Sequence, residues 1–195
     1  PNLLPSKYSK ALSAYNPEGT LKFSWITRGK PTSSQDPHYD ISFSLSNALI
    51  DNRKSNLSIS NLSFNGAYTN GEGNRPETSS FKISDFRSKL GSSDYSGSFS
   101  LSNFRDPFTE LVFRGRLLPS ELVEFLNLSK TAEAGGSIDL DLKFSGRPGK
   151  KDNFRFTDVF NMASGSRVSF NSVNLNLSNR QLDVKDATGT FIING

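Results

Sequence analysis

Cysteine is absent, so this chain can form neither a disulfide nor a thiolate metal site, and it has no thiol nucleophile. The absence does not fix the compartment, but it suits an envelope protein, because stray thiols react in an oxidising space. Histidine occurs once, at His38 in Asp36-Pro37-His38-Tyr39. Metal and triad chemistry need convergent partners, so this lone imidazole, beside the start of a strand, reads as a solvated loop residue. No Gly-x-Ser-x-Gly elbow and no P-loop occur. No apolar run approaches the ~18 residues of a membrane span, and no signal peptide stands at the start. Any membrane anchor is expected outside these residues. The chain begins at Pro1 without an initiator Met and is expected to be processed or cut from a longer protein.

Charge of one sign is also scarce. The net charge is +4 and the isoelectric point about 9.3. Lys and Arg are scattered among Asp and Glu, so no stripe forms that could track phosphates, and a nucleic-acid partner is disfavoured. What the chain does have is Ser and Asn in quantity, a bias that can signal disorder. Here it does not, because 16 Phe are present and most sit at alternating positions. Phe at that density is costly to leave in water, so the chain should fold and bury it.

The first eighteen residues carry Pro1, Pro5 and Pro17 and little pattern. They read as a tail or linker, with a short helix possible at Lys7 to Ala14; residues 19–195 form the folded segment. From Gly19 the period becomes two. Leu21, Phe23 and Trp25 alternate with Lys22, Ser24 and Ile26, so the first set shares one face of a strand. The alternation returns at Ile41, Phe43 and Leu45, then at Leu57 and Ile59. Leu62 and Phe64 follow in shifted phase, which predicts a bulge or turn near Asn61. Phe81 and Ile83 come next, then Tyr95 to Leu101 with Phe99, then Leu111 and Phe113. Ile138, Leu140, Leu142 and Phe144 form one group. Val168 and Phe170, Val173 to Leu177 with Leu175, Leu182 and Val184, and Phe191 and Ile193 complete the set. These groups predict roughly ten to twelve strands of ordinary length.

Turns are signalled by Asn65-Gly66, Asn70-Gly71, Gly135-Gly136 and Arg147-Pro148-Gly149. Pro119-Ser120-Glu121 opens a short helix with Leu122, Phe125 and Leu126 at helical spacing. A second short helix could cover Asp158 to Met162. Glycine precedes an apolar position at Gly19, Gly66, Gly97, Gly136 and Gly189. This weak repeat suggests one hairpin-like unit copied along a growing sheet, although glycine is also simply a common turn residue before a strand.

The second face of these strands is Ser, Asn, Asp, Lys or Arg, unlike a strand buried on both sides. Each strand therefore lends its large apolar side chains to one face. The sum exceeds the few hundred Å² that a soluble monomer leaves exposed. Two arrangements would satisfy it: a second sheet clasped over the first as a sandwich, or an open trough occupied by a hydrophobic ligand. Periodicity alone does not choose between them.

Other candidate sites are weak. Asp139 and Asp141 would lie on one wet strand face, where paired carboxylates serve solubility and edge protection rather than acid–base work. Asn70-Gly71-Glu72-Gly73-Asn74 lacks the helix start that phosphate needs and the spaced acids that calcium needs, and reads as a hairpin loop. Trp25, in the first apolar set, reads as core. The sequons at Asn56, Asn61, Asn127 and Asn176 are about as many as chance gives in this composition.

Ser80-Phe81-Lys82-Ile83-Ser84-Asp85-Phe86, Lys89-Leu90-Gly91 and Tyr95-Ser96-Gly97-Ser98-Phe99-Ser100-Leu101 are similar to the C-terminal region of AsmA-like proteins, especially the forms in Bacteroidetes. So are Asn103-Phe104, Pro107 to Leu111, Gly115 to Leu122, and the ending from Val173 through Leu182-Asp183-Val184 to Phe191. The resemblance spans roughly Asn56 to Gly195, and TamB and YhdP are relatives of that family. It implies an all-β, curved, mostly antiparallel sheet forming an open apolar groove, with one or two short helices. It also implies a periplasmic segment of an inner-membrane-anchored protein. Such a segment would bind or conduct phospholipid or other acyl-chain lipid between the membranes and support outer-membrane assembly, with outer-membrane assembly proteins as further partners.

The groove lining is then expected at Leu21, Phe23, Trp25, Ile41, Phe43, Leu45, Phe99, Leu101, Leu111, Phe113, Ile138, Leu140, Leu142, Phe144, Leu175, Leu177, Phe191 and Ile193. No cofactor and no enzymatic activity are expected. The competing expectation is a closed β-sandwich interaction module that binds protein or glycan.

Overall fold

Alternating apolar and polar residues produce extended chain almost throughout. The computed structural model describes residues 15–31, 36–52, 54–128, 132–147, 162, 165–177 and 182–194. The nine strands are β1 (Tyr15–Arg28), β2 (His38–Asn52), β3 (Ser58–Thr69), β4 (Ser80–Leu90), β5 (Ser93–Ser102), β6 (Phe108–Leu117), β7 (Ala132–Gly146), β8 (Ser166–Leu177) and β9 (Leu182–Ile193). They form one open antiparallel sheet in sequence order, each strand paired only with its chain neighbours. One helix, α1 (Pro119–Phe125), interrupts the meander between β6 and β7. Proline opens it at a position where a missing N–H costs nothing.

A single sheet rules out the sandwich of two. The strands are also fewer and longer than the periodicity predicts, at 10 residues in β5 and 15 in β2 and β7. Bulges account for the difference. At Asn47, Asn61, Asp85, Ser172 and Asp186 the backbone has positive φ of 45–53°, and the register shifts beside each of them. Each bulge adds a residue, flips the alternation and bends the strand. One strand therefore reads as two short ones in sequence. The bulge expected near Asn61 is present: residues 58–69 are a single strand carrying it. Likewise Val168–Phe170 and Val173–Leu177 belong to the one strand β8, interrupted at Ser172.

Other sequence expectations need correction. Asn65-Gly66 and Gly135-Gly136 are not turns but lie inside β3 and β7. β1 begins at Tyr15, inside the predicted tail. The repeated glycines sit within strands rather than at their starts, one in each of β1, β3, β5, β7 and β9. The repeat thus matches a two-stranded unit. Asn70-Gly71 does turn the chain, and Pro119 does start a helix. The expected helix at Lys7 to Ala14 lies outside the described residues, as do Pro148-Gly149 and all of the second expected helix except Met162.

Candidate functional site

Cross-strand register converts the separate apolar sets into continuous rows on one face. One row runs Phe23–Phe43–Gly66–Ile83–Phe99–Leu111–Phe144 across seven strands. Beside it runs Trp25–Ile41–Tyr68–Phe81–Leu101. Past the bulges, Phe86–Gly97–Phe113–Leu142 and Tyr95–Gly115–Leu140–Val168–Phe191 continue the same face. Leu21 pairs with Leu45, Ile138 with Phe170 and Leu175 with Val184 on that face. Leu177 and Ile193 hold their expected register there too. All eighteen residues expected to line a groove therefore share one side of the sheet.

The list made from sequence omitted Phe64, Tyr68, Phe81, Ile83, Phe86 and Tyr95, which share that side. The phase slip at Asn61 already marked Phe64, whereas the bulge at Asp85 hides the phase of Phe86, and allowing for one extra residue there recovers it.

Aromatic rings pave the centre. Phe43 and Phe81 stack with centroids 6.2 Å apart, Phe81 meets Phe99 at 6.3 Å, and Tyr95 stacks on Phe113 at 5.8 Å. Gly66 makes room for the Phe43 ring, since a Cβ there would stand 2.2 Å from it. Around Gly97 a depression of about 250 Å³ opens between Ile83, Phe86, Phe99, Leu111 and Phe113.

Little of this face is covered. The apolar side chains of the central strands are half-buried, and those of the edges are exposed: 66% for Leu21, 61% for Phe23, 60% for Trp25 and 54% for Phe191. Trp25, expected in a core, lies on an open edge strand instead. Among the described residues the buried hydrophobic core is small: Ala48, Leu90, Phe125, Ala132, Met162 and Val173. α1 is held at the strand ends by polar contacts. The Glu121 carboxylate accepts hydrogen bonds from the Ser92 amide at 2.7 Å and from the Ser92 and Ser93 hydroxyls at 2.8 Å. Burial opposes the charge on Glu121, but these donors outweigh it, and its carboxyl stays below the usual glutamate range. Asn52, buried at the end of β2, donates to the Phe125 carbonyl, and Tyr15 packs its ring 6.0 Å from that of Phe125.

The opposite face is polar. Arg116 binds Asp139 at 2.7 Å and Arg114 binds Asp141 at 2.9 Å. The two carboxylates do share a wet face, but β7 is an interior strand and each pairs with an arginine of β6. They are cross-strand clasps, not edge protection. Arg116, with Asn171 in support, lowers the Asp139 carboxyl below its ordinary range.

His38 is the other departure from expectation. It is the first residue of β2 and is half-buried, with Nε2 2.9 Å from Asp40 and Nδ1 3.0 Å from the Gly71 carbonyl. The Asp40 carboxylate first, then the Gly71 carbonyl, favours the imidazolium and raises its pKa. The residue is a clasp holding the Asn70–Asn74 hairpin loop to β2, not a solvated loop side chain. Among the described residues no group of three or more His, Cys, Asp or Glu converges as a metal site would require, and no helix is long and apolar enough to cross a membrane.

Compared with known protein families, curated proteins and solved structures, the chain finds no match in any of the three.

Proposed function

We propose that the chain is a segment of a lipid-carrying β-groove, related to the AsmA-like proteins it resembles, in which acyl chains lie along the apolar face. The supporting observation is the breadth of that face. Rows of Phe, Leu and Ile run across seven strands, while among the described residues one helix of 7 residues packs at a single end. A soluble monomer leaves only a few hundred Å² of contiguous apolar surface open. Nine strands at ~4.8 Å spacing span about 38 Å, a breadth that suits a large apolar occupant.

Curvature also supports a trough. A flat sheet would hold the end of β2 and the start of β7 five spacings, about 24 Å, apart. A short relay joins them: Asn52 to the Phe125 carbonyl, Leu128 to Val123, and Ala132 to Leu128, the last two through backbone bonds of 2.9 Å. Such a relay links strands that a flat sheet would hold well apart, which favours a sheet rolled toward the side that carries α1, the apolar side.

Transport in such a trough is passive and non-catalytic. Apolar contact is non-directional, so acyl chains slide along the rings while head groups keep to the wet rim. The protein would act in the periplasm between two membranes, with its anchor outside these residues. Native mass spectrometry of the purified protein should find bound phospholipid, and a photoreactive residue at Phe99 or Leu140 should crosslink to an acyl chain. Phe43→Ser with Phe99→Ser should cut uptake of a fluorescent fatty-acyl probe about tenfold. Lipid-free spectra together with uptake unchanged in the double variant would end this reading.

A further inference from the structure

The polar face is not uniformly flat. Three bulges on adjacent strands, at Asn47, Asn61 and Asp85, lie side by side, each with φ near +50°. Asn and Asp tolerate this left-handed conformation better than most residues, and each bulge bends its strand. Where the three bends meet, a cleft of about 740 Å³ opens across β2 to β6, within the 300–1,000 Å³ usual for ligand clefts. It is about three times the volume of the depression on the apolar face.

We propose that this cleft binds a saccharide, as a second site on the side opposite the apolar rows. Its lining mixes donors and acceptors with the apolar Leu45 and Phe64 and the ring of Tyr95. Arg87 presents its guanidinium with no hydrogen-bond or ion-pair partner among the described residues. Asn61 and Ser96 offer groups that both donate and accept, and Asp94 only accepts. Part of the wall is already fixed: Asn65 donates to Asp85 at 3.0 Å, and the Ser63 hydroxyl accepts from the Asn47 amide at 2.9 Å. A sugar hydroxyl is at once donor and acceptor, and a run of them needs this alternation. A polyanion would not fit as well. Arg114 is engaged by Asp141 at 2.9 Å, and Asp85 and Asp94 share the cleft, so Arg87 is the one cation in its lining without a bound carboxylate. An apolar ligand would strand these polar groups without partners.

The sugar could belong to a soluble polysaccharide or to a glycolipid head group. Titration of the full chain, followed by backbone and side-chain amide NMR, distinguishes them. One arm uses soluble di- to tetrasaccharides of glucose, galactose, mannose and N-acetylglucosamine. The other uses nanodiscs with and without a glycolipid bearing the same sugars. The expected result is saturable shifts at Asn61, Asn65 and residues 84–88 in at least one arm, with Phe23, Phe43, Phe99 and Leu111, which lie outside the cleft, silent in the soluble arm. Arg87→Ala should weaken that binding about tenfold or more, and Arg87→Lys should restore only part of it. Asn61→Gly, which keeps the positive φ while deleting the amide, should weaken it without unfolding the chain. Both variants should retain acyl-probe uptake, so this site and the lipid reading stand or fall separately. No saturable shift in either arm, or binding indifferent to Arg87 and Asn61, overturns the proposal.

Discussion

Leu90 and Leu21 are the same residue type, both in strands and on the same face of one sheet, yet 6% of the first and 66% of the second meets solvent. Leu90 ends β4 just before the turn that Glu121 of α1 clasps, and Leu21 lies exposed on the edge strand β1. The sheet thus has a capped end with a small conventional core and a long uncovered expanse built from the same alternation. The contrast teaches that the pattern sets which side is apolar, while burial depends on what lies over it. If the uncovered part is a binding surface, its residues should matter to ligand and hardly at all to stability, and those under α1 the reverse.

Five substitutions probe that contrast. Phe125→Ala should cost the most, about 3–5 kcal/mol for a buried aromatic, while Leu21→Ser should change stability by less than about 0.5 kcal/mol. Urea unfolding of both proteins measures the difference, and equal losses would erase the distinction between the two regions. Asn52→Ala should come next. It leaves the buried Phe125 carbonyl without that donor, at a cost of roughly 1–3 kcal/mol, and hydrogen exchange should quicken in α1 before the distant strands.

Glu121→Gln should be milder, because the site is only part-buried. Its folded pKa is lowered, so its contribution is complete above the unfolded value of about 4.3 and disappears as pH falls through the lower folded value. Wild-type stability should therefore drop in that acid window more steeply than that of the variant. If the two proteins show the same acid profile, the clasp contributes nothing.

The smallest effect is expected at His38, far from α1. Its raised folded pKa makes its contribution complete below the unfolded value of about 6.5, and lost as pH rises through the higher folded value. NMR titration should give an imidazole pKa above 6.5, and amide exchange in residues 71–74 should quicken over the same range. In His38→Gln that pH dependence should vanish while the apolar face stays unchanged.

Much of this was legible beforehand. Phe99, Leu111 and Phe144 could be placed on one face from period two alone, and the phase slip at Asn61 announced its bulge. The partners of His38 could not be read, because Gly71 and Asn74 stand 33 and 36 residues away and only the folded loop brings them to the imidazole. The polar cleft was equally hidden. Asn47 and Asp85 carry no such mark, and three bends become a cavity only when their strands are neighbours.

Alternation along the chain by itself settled that this protein is all-β with one oily and one wet side, because side-chain direction in a strand follows from local backbone geometry. Strand number, the choice of one open sheet over two, and the burial of Leu90 but not of Leu21 were decided by tertiary structure. Those outcomes rest on pairings such as Asn52 with Phe125, 73 residues apart, and such contacts leave no periodic mark in the sequence.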